Sequence, residues 1–213
     1  INGLTDNFGG GLIIKNTKKN SLFTNVRFSY LTGLKDYLLN PNDLKYSFTK
    51  TTYDKSKINT YKVTTNKKIN KAIIENQKYR IYGAINFFNS DVKMNNVIFE
   101  KINSEDALNI INSKFDLKDI SFSENASDAI DVDFGVGKIT NASFNNIVND
   151  AVDFSGSIVD LNNLKMNVIG DKMVSAGENS VLTITNLIGN KSKIAIASKD
   201  GSLTTLNDVI INN

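Results

Sequence analysis

Apolar residues recur along this chain as pairs separated by one residue, each pair following an Asn or Asp. They are Val97/Phe99, Ile120/Phe122, Ala142/Phe144, Leu164/Met166, Leu187/Gly189 and Val209/Ile211. Successive second members stand 23, 22, 22, 23 and 22 residues apart. Five residues before each lies another apolar residue: Met94, Leu117, Ile139, Leu161, Ile184 or Leu206. Three before each lies Asn96, Asp119, Asn141, Asn163, Asn186 or Asp208, and Phe23, Asn25, Val26 and Phe28 repeat the arrangement near the start. Alternating apolar residues make short strands with one face inward. An Asn or Asp between two such strands makes a tight bend, because these residues tolerate the left-handed backbone conformation. A fixed period then stacks like on like and buries a continuous core.

The period predicts an all-β fold, a single-stranded parallel β-helix of about 22 residues per coil. The crossover rule for parallel strands makes it right-handed. A leucine-rich repeat would need a denser leucine frame and a helix in most repeats, and the Val, Ile, Phe, Thr and Asn content disfavours helical repeats. The regular coils run from 83 to 213. Residues 34–80 break the period, are rich in Lys and Tyr, and hold the single proline, Pro41. They read as a long insertion with a short helix or hairpin, whose tyrosines are candidates for ligand contact. The Asn-rich strand at the C-terminus has no polar cap, and the chain starts at Ile1. A fragment of a longer protein with additional domains is therefore expected.

Each coil holds a second strand: Gly83–Phe87, Asp106–Ile110, Asp128–Val132 and Asp150–Phe154, then Asp171–Ser175. The large apolar residues at the third and fifth positions of each must face inward. The second and fourth positions are then expected to face outward. That puts Ala84, Ala107, Ala129 and Ala151 in a shallow outer trough beside Asn86, Asn109, Asp131 and Asp153. A further column of acids starts the strands: Asp106, Asp128, Asp150 and Asp171. Stacked parallel strands lie roughly 4.8 Å apart, so Asp131 and Asp153 should be neighbours, as should Asp128 and Asp150. Like charges at that spacing raise one another's pKa. Capping of bends and solvation of a face would account for such residues without any function. Crowding of six acids is more than either role needs.

Composition narrows the chemistry. The chain has neither cysteine nor histidine. Disulfides, Ser-His-Asp and Cys-His mechanisms are excluded, and zinc lacks the ligands it prefers. Calcium, which takes oxygen ligands, is the one cofactor the residues could supply, from Asp106, Asp128 and Asp150; none is required. The net charge is +3 with lysines scattered, so no basic stripe for nucleic acid is present. No run reaches the roughly 18 apolar residues of a membrane span.

Residues 83–213, with a weaker echo at 9–33, resemble the pectin-lyase-like superfamily of parallel β-helix proteins. Ser127-Asp128-Ala129-Ile130-Asp131 is similar to the N-T-D-G-I-D segment of polygalacturonase-type hydrolases, and Asn149-Asp150-Ala151-Val152 to their D-D-C segment. Gly170-Asp171-Lys172 and Ile194-Ala195-Ile196-Ala197 fall where that family has G-H-G and R-I-K. Asn149 replaces one of the three family aspartates, Asp171 the histidine and Ala195 the substrate-binding arginine. The segments Asp153–Ser157, Gly177–Ser180 and Ala197–Ser202 also resemble those of uncharacterised bacterial β-helix repeat proteins, some with spore-coat-kinase-like modules. The resemblances imply a secreted or cell-surface bacterial setting and a polysaccharide partner. Asp128, Asp131, Asp150 and Asp153 are the candidate acid–base residues. Asn86, Asn109, Asp133, Ser155, Asp171, Lys172 and Lys199 are candidates for substrate binding. The missing histidine and arginine set binding, or a structural or adhesive stalk, slightly ahead of catalysis.

Overall fold

A computed structural model describes residues 10–33 and 83–212, together with a strand pair between them. The chain divides into two compact units, Leu38–Arg80 and the remainder. The smaller unit is described only by β3 (Leu38–Leu39) and β4 (Tyr79–Arg80), which pair antiparallel. The tyrosines of the expected insertion other than Tyr79 lie outside the described residues, and nothing is described of the Tyr79 side chain.

The larger unit is a parallel β-solenoid of about six turns with coils about 22 residues apart. Its strands form two stacks. One holds β1 (Leu12–Lys15), β5 (Gly83–Phe88), β7 (Asp106–Ile111), β9 (Asp128–Asp133) and β11 (Val152–Ser155). The other holds β2 (Ser21–Ser29), β6 (Val92–Glu100), β8 (Lys114–Asn125) and β10 (Val136–Ile147). The long strands β12 (Ile158–Gly177) and β13 (Val181–Ser198) run through both stacks, and β14 (Leu203–Asn212) pairs with β13. Among the described residues there is no helix. Since β1 pairs with β5 and β2 with β6, residues 10–33 and 83–100 form consecutive coils.

Three columns of left-handed residues turn each coil. One is the expected Asn/Asp column: Asn25, Asn96, Asp119, Asn141, Asn163, Asn186 and Asp208, with φ of 52–58°. Its side chains bond between coils, Asn141 to Asp119 at 2.8 Å and Asn163 to Asn141 at 2.7 Å. A second runs through Asn16, Asn89, Asn112, Phe134, Gly156 and Glu178. The third is Tyr30, Lys101, Glu124, Asn146, Val168 and Lys191. Residue type does not announce this last column. Val168, with φ 56°, carries the cost that a β-branched residue meets there.

The core is a set of stacked like residues. Phe28, Phe99, Phe122 and Phe144 pile up with centroid separations of 5.1, 4.4 and 5.3 Å. Met166 and then Gly189 continue the column. Met166 ends the aromatic run, and at Gly189 the Met173 side chain fills the space a Cβ would take. A second inward column is polar. The hydroxyls of Ser113, Ser157, Ser180 and Ser202 accept the backbone N–H of Ser90, Gly135, Ser157 and Ser180. These hydroxyls supply acceptors at the corner where the strand ladder is interrupted.

Candidate functional site

The four strands Gly83–Phe88, Asp106–Ile111, Asp128–Asp133 and Val152–Ser155, with the second half of β12, carry most of the residues singled out from the sequence. Parallel register aligns Asn86 with Asn109, Asn109 with Asp131, Asp131 with Asp153 and Asp153 with Ser175. The expected juxtaposition of Asp131 and Asp153 is therefore present. Beside this column, Asp133 aligns with Ser155, and Asp106 with Asp128.

The expected open trough is not there. Ala84, Ala107, Ala129 and Ala151 are at most 1% exposed and lie among the core side chains. A methyl group reaches little farther than the backbone, so larger neighbours close over it. Asn86 and Asn109, expected on an exposed face, are also buried, as are Asp106 and Asp150. Asp131, Asp133, Asp153, Ser155 and Asp128 are partly buried and remain reachable.

Two of the aspartates serve the backbone. Asp128 Oδ1 accepts the Asp150 N–H at 2.8 Å, and Asp150 Oδ1 accepts the Lys172 N–H at 2.9 Å. Each carboxylate thus bonds the backbone of the next coil. Asp106 Oδ2 accepts from Asn109 Nδ2 at 3.0 Å. Asp131 and Asp153 receive no hydrogen bond from any described residue, and neither belongs to an ion pair. Asn86 Oδ1, Asn109 Oδ1 and Ser175 Oγ are buried without a partner. The amide oxygens and carboxylates of the aligned column are therefore short of donors, and the Ser175 hydroxyl at its end is unused. Asn86 donates to the Leu12 and Gly83 carbonyls, which fixes its amide but leaves its oxygen unmet.

Burial and crowding shift the acids upward. Burial first, then neighbouring carboxylates, push Asp106 to about 7. Burial takes Asp128 to about 6 against the pull of its backbone hydrogen bond. Asp133 also reaches about 6, through burial and then the charges of Glu178 and Asp153. Asp131 is raised well above the ordinary value by burial, then by Asp106, Asp133, Asp153 and Asp128. Asp150 is raised by burial, with Lys172 opposing.

Cations gather at the far end of the face. Lys172 Nζ lies 3.3 Å from Asp150 and 2.5 Å from Asp171, and Lys193 lies 3.9 Å from Asp171. The hydrogen bond from Lys172 holds the Asp171 carboxyl below its usual range. Lys199 forms no ion pair among the described residues, although its stem lies against Gly177. Lys193 and Ser175 were not singled out from the sequence; their only signal is a coil spacing from residues that were. Among the described residues no three acidic side chains converge on a metal position. No family model, curated protein or solved structure matches the chain.

Proposed function

We propose that this face binds a polysaccharide laid along the solenoid axis. The observation that carries the reading is the column Asn86, Asn109, Asp131, Asp153: one polar side chain per coil, in unbroken register. A polymer of repeating units is the ligand class that can use acceptors repeated at a fixed step, and Asp131 and Asp153 are the two a ligand can reach. The resemblances noted in the sequence support a right-handed, secreted or cell-surface bacterial module. Asp133 and Ser155 flank the column, and Asp171, Lys172 and Lys199 lie toward its basic end.

Any turnover at this face falls to Asp131 and Asp153, since Asp128 and Asp150 each spend an oxygen on the backbone. Glycoside hydrolysis needs one protonated and one ionised carboxyl, and the raised Asp131 suits the first role. A glycan array probed with the wild type and Asp131→Asn/Asp153→Asn tests the binding. Retained fold with lost glycan signal is the expected result. Silence of the wild type on every glycan would sink the proposal. A non-catalytic stalk is the second reading, favoured by the use of Asp128 and Asp150 as backbone acceptors. Calcium bound at Asp106, Asp128 and Asp150 would raise the melting temperature of such a stalk, and a chelator would lower it.

A further inference from the structure

Resting on the polysaccharide reading, we propose that the ligand of this column is an amine-bearing glycan, whose ammonium groups seat on Asp131 and Asp153 between Asn109 Oδ1 and Ser175 Oγ. Three observations converge on a donor-only, positively charged group.

The first is the balance of donors and acceptors. Asn109 is 5% exposed and Ser175 fully buried, yet Asn109 Oδ1 and Ser175 Oγ have no partner. They stand on either side of two carboxylates that accept nothing from the described residues. A buried polar atom without a partner is costly, so a ligand supplying N–H groups here gains more than it would at an exposed surface. A sugar hydroxyl fits less well. It brings a single donor, so it can meet only one of these acceptors. An ammonium brings three donors and no acceptor.

The second is charge. Asp131 lies among Asp106, Asp128, Asp133 and Asp153. Of the two lysines singled out on this face, Lys172 is already engaged by Asp150 and Asp171, and Lys199 lies beside Gly177, a coil beyond Ser155. A cationic ligand relieves this repulsion, whereas a polyuronate would add to it.

The third separates an ammonium from a metal ion. Calcium gathers six to eight oxygens at about 2.3–2.6 Å. Here the carboxylates are spaced along the axis by a coil step of roughly 4.8 Å, and no three acids converge. Acceptors strung along an axis suit charges strung along a polymer. The partly buried carboxylates of Asp131 and Asp153 are the reachable part of the site.

Calorimetric titration tests this, with four probes: a glucosamine oligomer, its fully N-acetylated counterpart, an oligogalacturonate and calcium chloride. The glucosamine oligomer should bind at least tenfold more tightly than the acetylated one. Asp131→Asn/Asp153→Asn should lose at least tenfold of that affinity, while the control Asp160→Asn, on an exposed strand position of the other stack, should lose none. Circular dichroism checks that each variant keeps its strand signal. Equal binding of both oligomers, or a preference for the oligogalacturonate, overturns the amine assignment and leaves polysaccharide binding standing. Calcium binding that disappears in the double variant, with no binding of the amine, also overturns it. No binding of any glycan removes both proposals together.

Discussion

Asp106→Asn should make this protein more stable at alkaline pH. Asp106 is 4% exposed and accepts one hydrogen bond, from Asn109. Burial lifts its carboxyl from 3.8 to about 7. The folded chain therefore holds this proton more tightly than the unfolded chain. The stability linked to it is fully present below about pH 4 and is lost as the pH rises through about 7. Roughly three pH units at about 1.4 kcal/mol each put the full loss at about 4 kcal/mol. Asp128, Glu105 and Asp133 contribute to the shift, so removing one charge also relieves them. Asparagine keeps the shape and an oxygen for Asn109. The variant should match the wild type near pH 4 and exceed it by about 1–4 kcal/mol at pH 8. At this chain length each kcal/mol moves the melting temperature by about 2–4 °C. Thermal unfolding followed by circular dichroism at both pH values measures the effect. Destabilisation at pH 8, or the same shift at both pH values, would refute the account of a buried, reluctantly ionised carboxyl.

Four other substitutions probe separate parts of the fold. Val168→Asn should raise stability by about 1 kcal/mol, because Asn tolerates the left-handed conformation that Val168 adopts; an unchanged melting temperature would mean no strain is stored there. Phe122→Ala removes an inner ring of the stack and should cost about 3–5 kcal/mol, with hydrogen exchange rising first in Val92–Glu100 and Val136–Ile147. Ser157→Ala strips the acceptor from the buried Gly135 N–H and should cost about 1–3 kcal/mol; an undiminished protection of that amide would contradict the role of the serine column. Lys172→Met should move the Asp150 carboxyl upward in a carbon-detected NMR titration, since Lys172 is the charge that opposes its burial.

The strand order and the coil length were legible because their signals are redundant. Phe99, Phe122 and Phe144, with Asn96, Asp119 and Asn141, report the same period through two different physical demands, an inward ring and a left-handed bend. The stacking of Asp131 on Asp153 followed from that period alone. Burial was harder to read. Alternation assigned Ala129 and Asp131 to one outward face, but alternation says nothing of what neighbouring side chains do to a methyl group. Ala129 is sealed while Asp131 is still reachable. The third corner was also hidden, since Tyr30, Lys101 and Val168 share no chemistry that marks a turn. The roles of Asp128 and Asp150 as backbone acceptors depend on the direction of each side chain within a coil, which spacing does not reveal.

The break in the repeat at residues 34–80 has a kinetic consequence. Most coils meet a neighbour about 22 residues away in sequence, but the two strands of the first coil meet theirs across 73 and 71. Closing the longer loop costs about 1 kcal/mol more in chain entropy. Contacts in a solenoid form between adjacent coils and spread outward from wherever they begin. Assembly is thus fastest among the coils from residue 83 onward, and the first coil joins a ladder already built. Residues 10–33 are for the same reason the segment that should peel away first under mild denaturant, leaving the acidic column on Asp131 and Asp153 intact.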